Sequence, residues 1–319
     1  MTDLLKIGAS FALIVVLLRL RWNLGLVMFL GSLFLGVLYL IGPIRQAQVI
    51  LASTTDLVTV NLVTGLVLIM VLENIIRKRG VLKRMMEAVV NVARDRRIAM
   101  AVLPGVIGLL PSAGGAAFSA PMVQESAGDT DISPERKAFI NYWFRHIWEY
   151  ILPLYPGIVL AAAVTKMPLN KLLLSQLPLP IAVVIVGAFL GFPGMKRPVI
   201  AGKRDKEEIK ALFTTLLPIT ISLVLVIVFK LPLAIAMISV VIGMFLFYRY
   251  SLGDLKTTLK ESVSINTVLM VVGIMVFKGM LDASGAIEAL PIFFRQSGMP
   301  TGVVLFALPF IVGLLTGLT

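Results

Sequence analysis

Cysteine is absent from all 319 residues, and histidine occurs once, at His146. Disulfides, thiolate metal sites and cysteine nucleophiles are thereby excluded, and one imidazole cannot build a multi-histidine metal centre. Charge is scarce too. Asp, Glu, Lys and Arg make up 14% of the chain, where a soluble domain carries roughly 25%. Acidic residues are the scarcer sign, 17 against 29 basic, which leaves a formal charge of +12. There is no soluble basic module to hold nucleic acid, so the excess is not a nucleic-acid footprint. No phosphate-binding glycine loop opens a polar helix, which sets aside a nucleotide-dependent enzyme. No organic cofactor is expected.

Apolar residues fill the space that charge leaves, at 58% of the chain and a mean hydropathy of +0.97. They recur in runs: Ile7–Leu20, Leu24–Ile41, Leu57–Ile76, Ile98–Leu110, Ile181–Phe192, Ala211–Phe229, Leu231–Phe247 and Val263–Leu281. A helix needs about 20 apolar residues to cross a bilayer, and runs this continuous are too long for barrel strands. The expectation is an all-α integral membrane protein, multi-pass in the cell membrane, with the lipid bilayer as its first partner. Ile7–Leu20 has no basic n-region and no small-residue cleavage site, so it reads as a retained span rather than a signal peptide.

The chain also repeats itself. Asn61–Val71 aligns with Asn266–Val276 at an offset of 205, and Ile69-Met70-Val71 is identical to Ile274-Met275-Val276. The same offset pairs Gly80 with Gly285, Pro104 with Pro309 and Gly108 with Gly313. With a two-residue shift, Leu24 pairs with Leu231 and Gly36 with Gly243. Charge gives the copies opposite senses. After the helix of Asn61 come eight basic residues, from Arg77 to Arg97, against Glu87 and Asp95. After the helix of Asn266 come Lys278 and Arg295 against Asp282 and Glu288. Basic loops stay cytoplasmic, so the first loop reads as inside and its twin as outside. Arg19, Arg21, the 196–210 segment, Arg249, Lys256 and Lys260 then fall inside, with Arg45, Asp56 and Lys230 outside. Inverted-topology repeats of this kind are a signature of secondary transporters. The expected organisation is a first repeat over 1–195 with five spans, a solvated cytoplasmic linker over 196–210, and a second repeat over 211–319.

Five spans require the segment from about 98 to 123 to enter and leave on one face, as a re-entrant hairpin does. Its middle, Pro111-Ser112-Ala113-Gly114-Gly115, breaks a helix and lets backbone approach a ligand closely. A second break falls at Pro153-Leu154-Tyr155-Pro156-Gly157. Paired discontinuous helices point to a substrate site, which makes Ser112, Ala113, Gly114, Gly115, Pro153, Tyr155, Pro156 and Gly157 the candidate binding residues. Freed carbonyls near Ser112 and Gly114 suit Na⁺. Tight helix packing and a simple kink are the structural alternatives. Asn61 and Asn266 are candidates for ordering the site, or for interhelical hydrogen bonding. Glu73 and Asn74 fall near a span end beside Arg77, which reads as a solvated or snorkelling pair in preference to a proton carrier. The cluster from Asn141 to Tyr150 reads either as an amphipathic helix at the membrane surface or, through Arg145 and Glu149, as part of a substrate or coupling pathway.

With the repeat, the Leu110–Pro121 hairpin and the Asn141–Glu149 cluster in view, the chain resembles a prokaryotic family of integral membrane proteins of unknown function in the ion transporter superfamily. That superfamily also holds gluconate permeases, citrate transporters, arsenite permeases, divalent-anion/sodium symporters and some sodium/proton antiporters. The resemblance covers essentially the whole chain. It implies inverted repeats, each with a re-entrant hairpin and a discontinuous helix, and a homodimer; by position it places Ser112–Gly115 at the hairpin tip and Pro153–Gly157 at the helix break. The Ser-Asn-Thr signature of the sodium–carboxylate symporters is missing at Ser112-Ala113-Gly114. The second copy reaches Leu315–Thr319 where the first has Pro111–Gly115, and a complete second copy would bring the chain to about 400 residues. The expected function is secondary active transport of a small organic anion, coupled to Na⁺ or H⁺. A cation/proton antiporter of the same fold is the alternative. An intramembrane hydrolase built on Ser112 and His146, or a membrane scaffold, is more remote.

Overall fold

The computed structural model describes residues 2–93, 95–110, 115–128, 132–195, 206–286, 300, 302–303, 306–307 and 310. Among them there is no strand. The helices are α1 (Thr2–Arg19), α2 (Leu24–Leu38), α3 (Pro43–Thr55), α4 (Leu57–Lys78), α5 (Val81–Val92), α6 (Arg96–Ile107), α7 (Gly115–Ala127) and α8 (Pro134–Arg145). After a 3₁₀ turn over Ile147–Tyr150 come α9 (Pro156–Thr165), α10 (Leu169–Gln176), α11 (Pro178–Gly191), α12 (Lys206–Ile227), α13 (Leu233–Phe247), α14 (Leu252–Ser262) and α15 (Ile265–Ser284). Two compact units form: Met1–Thr64 with Ser264–Thr319, and Gly65–Val263.

Four of these segments are long and apolar enough to cross a membrane: Leu57–Lys78, Leu169–Gly191, Lys206–Ile227 and Ile265–Ser284. Half of the apolar window of α4 is buried, against 17% for Leu169–Gly191. So α4 is half covered by protein, and the Leu169–Gly191 segment turns its apolar side chains outward.

The first unit is held by close backbone contact. Gly25 of α2 and Gly273 of α15 face each other so tightly that a methyl group on Gly273 would meet the Gly25 backbone, and one on Gly25 the Leu269 backbone. Small residues permit this approach, and dispersion contacts reward it in an apolar solvent. Asn23 caps α2, accepting from the Gly25 amide at 2.9 Å, and donates through Nδ2 to Asn266 Oδ1 at 2.9 Å. Ile14, Val27, Leu35, Val49, Phe277 and Met280 close the core around that seam.

In the second unit, α5 lays Met85 and Val89 against Leu103 and Val106 of α6, with Leu212 and Leu216 of α12 beside them. Asp95 caps α6 by accepting from the Arg97 amide at 2.9 Å. Arg96 Nη1 donates to Ala127 O at 3.1 Å, so the start of α6 lies beside the end of α7 and the two run antiparallel. At 1.5 Å per residue each is about 20 Å long or less, short of the ~30 Å hydrocarbon thickness. Residues 206–210, the end of the expected linker, form the first turn of α12, where Glu208 pairs with Arg84 of α5 at 2.9 Å.

One succession of elements occurs twice. Helix α1, left-handed Arg21, the 15-residue α2, left-handed Leu40, α3 and α4 lead to Gly80 at φ 69°, ψ 9°. Helix α12, left-handed Lys230, the 15-residue α13, left-handed Arg249, α14 and α15 lead to Gly285 at φ 69°, ψ 9°.

The α2–α15 seam makes a prediction. Gly25→Ala or Gly273→Ala should destabilise the detergent-purified protein by about 1–3 kcal/mol through overpacking. Gly8→Ala and Gly243→Ala, where an added methyl meets nothing within 4 Å, should be neutral or stabilising by up to ~1 kcal/mol. Thermal unfolding of the four variants checks the contrast.

Candidate functional site

The site grows from two sequence-imposed interruptions. Ser133 caps α8 by accepting from the Arg136 amide at 3.3 Å, and Pro134 occupies its first turn, where a missing N–H costs nothing. The helix ends at Arg145. Pro153 and Pro156 then prevent a helix from forming continuously, and the chain is non-helical from Ile151 to Tyr155 before Pro156 opens α9. Despite lacking regular structure, Leu152–Tyr155 is buried.

That buried loop docks on the end of α6. Trp148 Nε1 donates to Gly105 O at 2.7 Å, and Tyr155 Oη donates to Gly108 O at 2.6 Å. These are carbonyls that a helix C-terminus cannot satisfy by itself. Gly108 is obligatory for a steric reason: a Cβ there would collide with the Arg145 carbonyl.

Charge converges on the same place. Arg145 is only 4% exposed. Its guanidinium stands 3.9 Å from Glu149 Oε1 and near the Tyr155 hydroxyl. The Glu73 side chain, on α4, is 13% exposed and pairs with Arg77, which is 57% exposed. His146 donates from Nδ1 to Tyr142 O at 2.5 Å and turns Nε2 toward Glu149 Oε1, 3.7 Å away. A buried guanidinium thus stands beside the Glu149 carboxylate and the Tyr155 phenol. Such a group binds carboxylate or phosphate oxygens with good geometry.

Ser112, Ala113 and Gly114 lie outside the described residues, and with them the Ser112–His146 pairing and the Na⁺ position. Gly115 opens α7. Pro153, Tyr155, Pro156 and Gly157 make up the buried break and the start of α9, and Arg145 and Glu149 join Tyr155 there. Asn61 and Asn266 belong to the first unit, where Asn266 has Asn23 as its partner. Glu73, placed by the sequence beside Arg77 at a span end, makes that pair with its own side chain only 13% exposed. No group of metal-ligating side chains occurs among the described residues.

Apolar span-length helices, discontinuous backbone buried in protein and a buried ionic cluster together define an all-helical membrane protein. The chain belongs to the family described as "Protein of unknown function (DUF401)", whose profile matches residues 4–319. No curated protein matches it.

Tyr155→Phe and Trp148→Phe should each leave a buried carbonyl without a donor and destabilise the protein by about 1–3 kcal/mol. Gly108→Ala should lower the unfolding midpoint further, because it displaces the Arg145 backbone. Thermal unfolding in detergent ranks the three.

Proposed function

We propose that this protein is a secondary active transporter that carries a small organic anion, a carboxylate or sugar acid, across the cell membrane by alternating access, coupled to Na⁺ or H⁺. The observation that carries the reading is the 4% exposure of Arg145 beside the break at Pro153–Gly157. A charge in such surroundings is costly and is kept for function, and a guanidinium recognises carboxylates with two parallel hydrogen bonds. The antiparallel α6–α7 pair, too short to span, fits a re-entrant hairpin, and discontinuous helices of this kind line transporter sites.

Inverted repeats are supported by the twice-used succession and by a charge reversal. At the offset of 205, Glu73 and Arg77 correspond to Lys278 and Asp282. Each couple is an i,i+4 ion pair with a buried first member, 13% and 15% exposed, and a more exposed second, 57% and 43%. In α4 the basic end suits the helix dipole; in α15 the acidic end opposes it. The difference fits opposite insertion, since basic helix ends remain cytoplasmic. The partly buried Glu73 carboxylate favours a second reading, a cation/proton antiporter.

Thermal unfolding of the purified protein with gluconate, citrate and succinate, each with and without Na⁺, tests the anion reading. One acid should raise the stability by about 2.7 kcal/mol at a hundredfold excess over its Kd, and Arg145→Gln should abolish the shift. Flat responses to all three acids, with a shift from Na⁺ or pH alone, would replace it with the antiporter.

A further inference from the structure

We infer that the corner between α13 and α14 binds an anionic phospholipid, its phosphate held by Arg79 and its acyl chains laid along α14. The inference stands apart from the transport reading, since none of these residues belongs to the Arg145 site.

Helix α14 is turned the wrong way round for water. Leu252, Leu255 and Leu259 recur at i, i+3 and i+7 and so share one stripe. That stripe faces out: Leu252 is 87% exposed and Leu259 39%. Against the protein the helix buries Thr258 and Ser262 instead, with the Ser262 hydroxyl donating to Thr258 O at 2.6 Å. A helix that buries hydroxyls and exposes leucines has hydrocarbon outside it. With 11 residues it is roughly 16 Å long, too short to cross a bilayer. Lying in the plane of the interface lets its leucines reach lipid while its lysines stay in water. Lys256 and Lys260, one turn apart, are both exposed along one flank of the leucine stripe. Leu246 and Phe247, 73% and 78% exposed, continue the apolar surface from the end of α13.

The headgroup position is built on aromatic rings. Arg79, just past the end of α4, lays its guanidinium over Tyr250 at 4.3 Å and over Tyr248 at 5.5 Å from the ring centroids. Stacking of this kind fixes the guanidinium plane and leaves its N–H edge free for a phosphate. The acids nearby are engaged. Glu261 accepts from Lys78 Nζ, and Asp254 accepts from the Ser251 amide at 3.2 Å and its hydroxyl at 2.9 Å in the capping box of α14. Arg79, Arg249, Lys256 and Lys260 are all exposed. None of the four has a salt bridge among the described residues.

Free phosphate would need the charges alone. Exposed leucine and phenylalanine beside them fit a ligand that carries phosphate and acyl chains in one molecule, and four cations favour a net-anionic headgroup over a zwitterionic one. The counterpart helix separates the two ingredients. Helix α3 likewise exposes Ile44 and Leu51, 79% and 66%, but Arg45 is the one charge among its 13 residues and its Nη1 donates to Gln48 Oε1 at 3.4 Å. Both helices have the surface for lying on lipid; of the two, α14 adds the cationic cluster.

The test is thermal unfolding of the detergent-purified full chain with rising mole fractions of phosphatidylglycerol or phosphatidylcholine in the micelle. Phosphatidylglycerol should raise the midpoint and phosphatidylcholine should not. Each charge removed at the corner should raise the half-saturating mole fraction about fivefold. The variants are Arg79→Gln, and Lys256→Gln combined with Lys260→Gln. Should Arg79→Gln fail to fold, the double lysine variant decides alone. Lys83→Gln removes the same charge from an α5 side chain that is 80% exposed, and should leave the response unchanged. Equal responses to the two lipids, as a corner built for a protein partner would give, overturn the inference. A response that Lys83→Gln weakens as much as the corner variants do is surface charge only, and overturns it as well. A midpoint shift that inorganic phosphate reproduces in lipid-free micelles makes the corner a phosphate site and removes the lipid.

Discussion

A helix that stops away from water leaves its last carbonyls without donors, and in α6 that debt falls on Gly105 and Gly108. Trp148 and Tyr155 answer it from a loop that is itself irregular and buried. Each side of the contact solves the other's problem, since two orphan acceptors meet two indole and phenol donors that would otherwise be buried without partners. Tyr155 then bridges from backbone to charge, donating to Gly108 while standing within reach of Arg145. The helix end, the proline-imposed break and the guanidinium form one network. Because Gly108 lies against the Arg145 backbone with no room for a side chain, the position of the charge is fixed by main-chain packing as well as by its ionic partners.

Such a network is a poor way to gain stability. Desolvating an arginine costs several kcal/mol, and apolar residues of similar volume are often the more stable choice. The α2–α15 seam shows the same chain stabilising itself without charge, through glycine-to-glycine contact and a cluster of Ile14, Val27, Leu35 and Phe277. The contrast between these two regions is the physical basis for assigning chemistry to one and scaffolding to the other.

The interruptions were legible because proline acts locally. A missing N–H at Pro153 and Pro156 needs no knowledge of neighbours, and the break falls there. The match of Gly80 with Gly285 was equally local, and both adopt the same left-handed conformation. Partnerships between distant residues were not legible. Repeat alignment pairs Asn61 with Asn266 by equivalence, whereas contact pairs Asn266 with Asn23. Glu73 reads as a span-end residue beside Arg77, and the pair forms, but the 13% exposure of its side chain is set by neighbours that hydropathy does not see. Trp148 carries the ordinary preference of tryptophan for membrane interfaces, and nothing near it in sequence marks it as a donor to Gly105.

The two bonds to α6 also impose an order on biogenesis. Gly105 and Gly108 leave the ribosome 43 and 47 residues ahead of Trp148 and Tyr155. In the interval their carbonyls must be hydrated, so the α6–α7 pair cannot take its final place in an apolar environment as a self-contained insertion unit. It must wait near the aqueous face, or inside a wet translocation channel, until the following segment arrives. A late-emerging aromatic pair therefore licenses the burial of an earlier helix end.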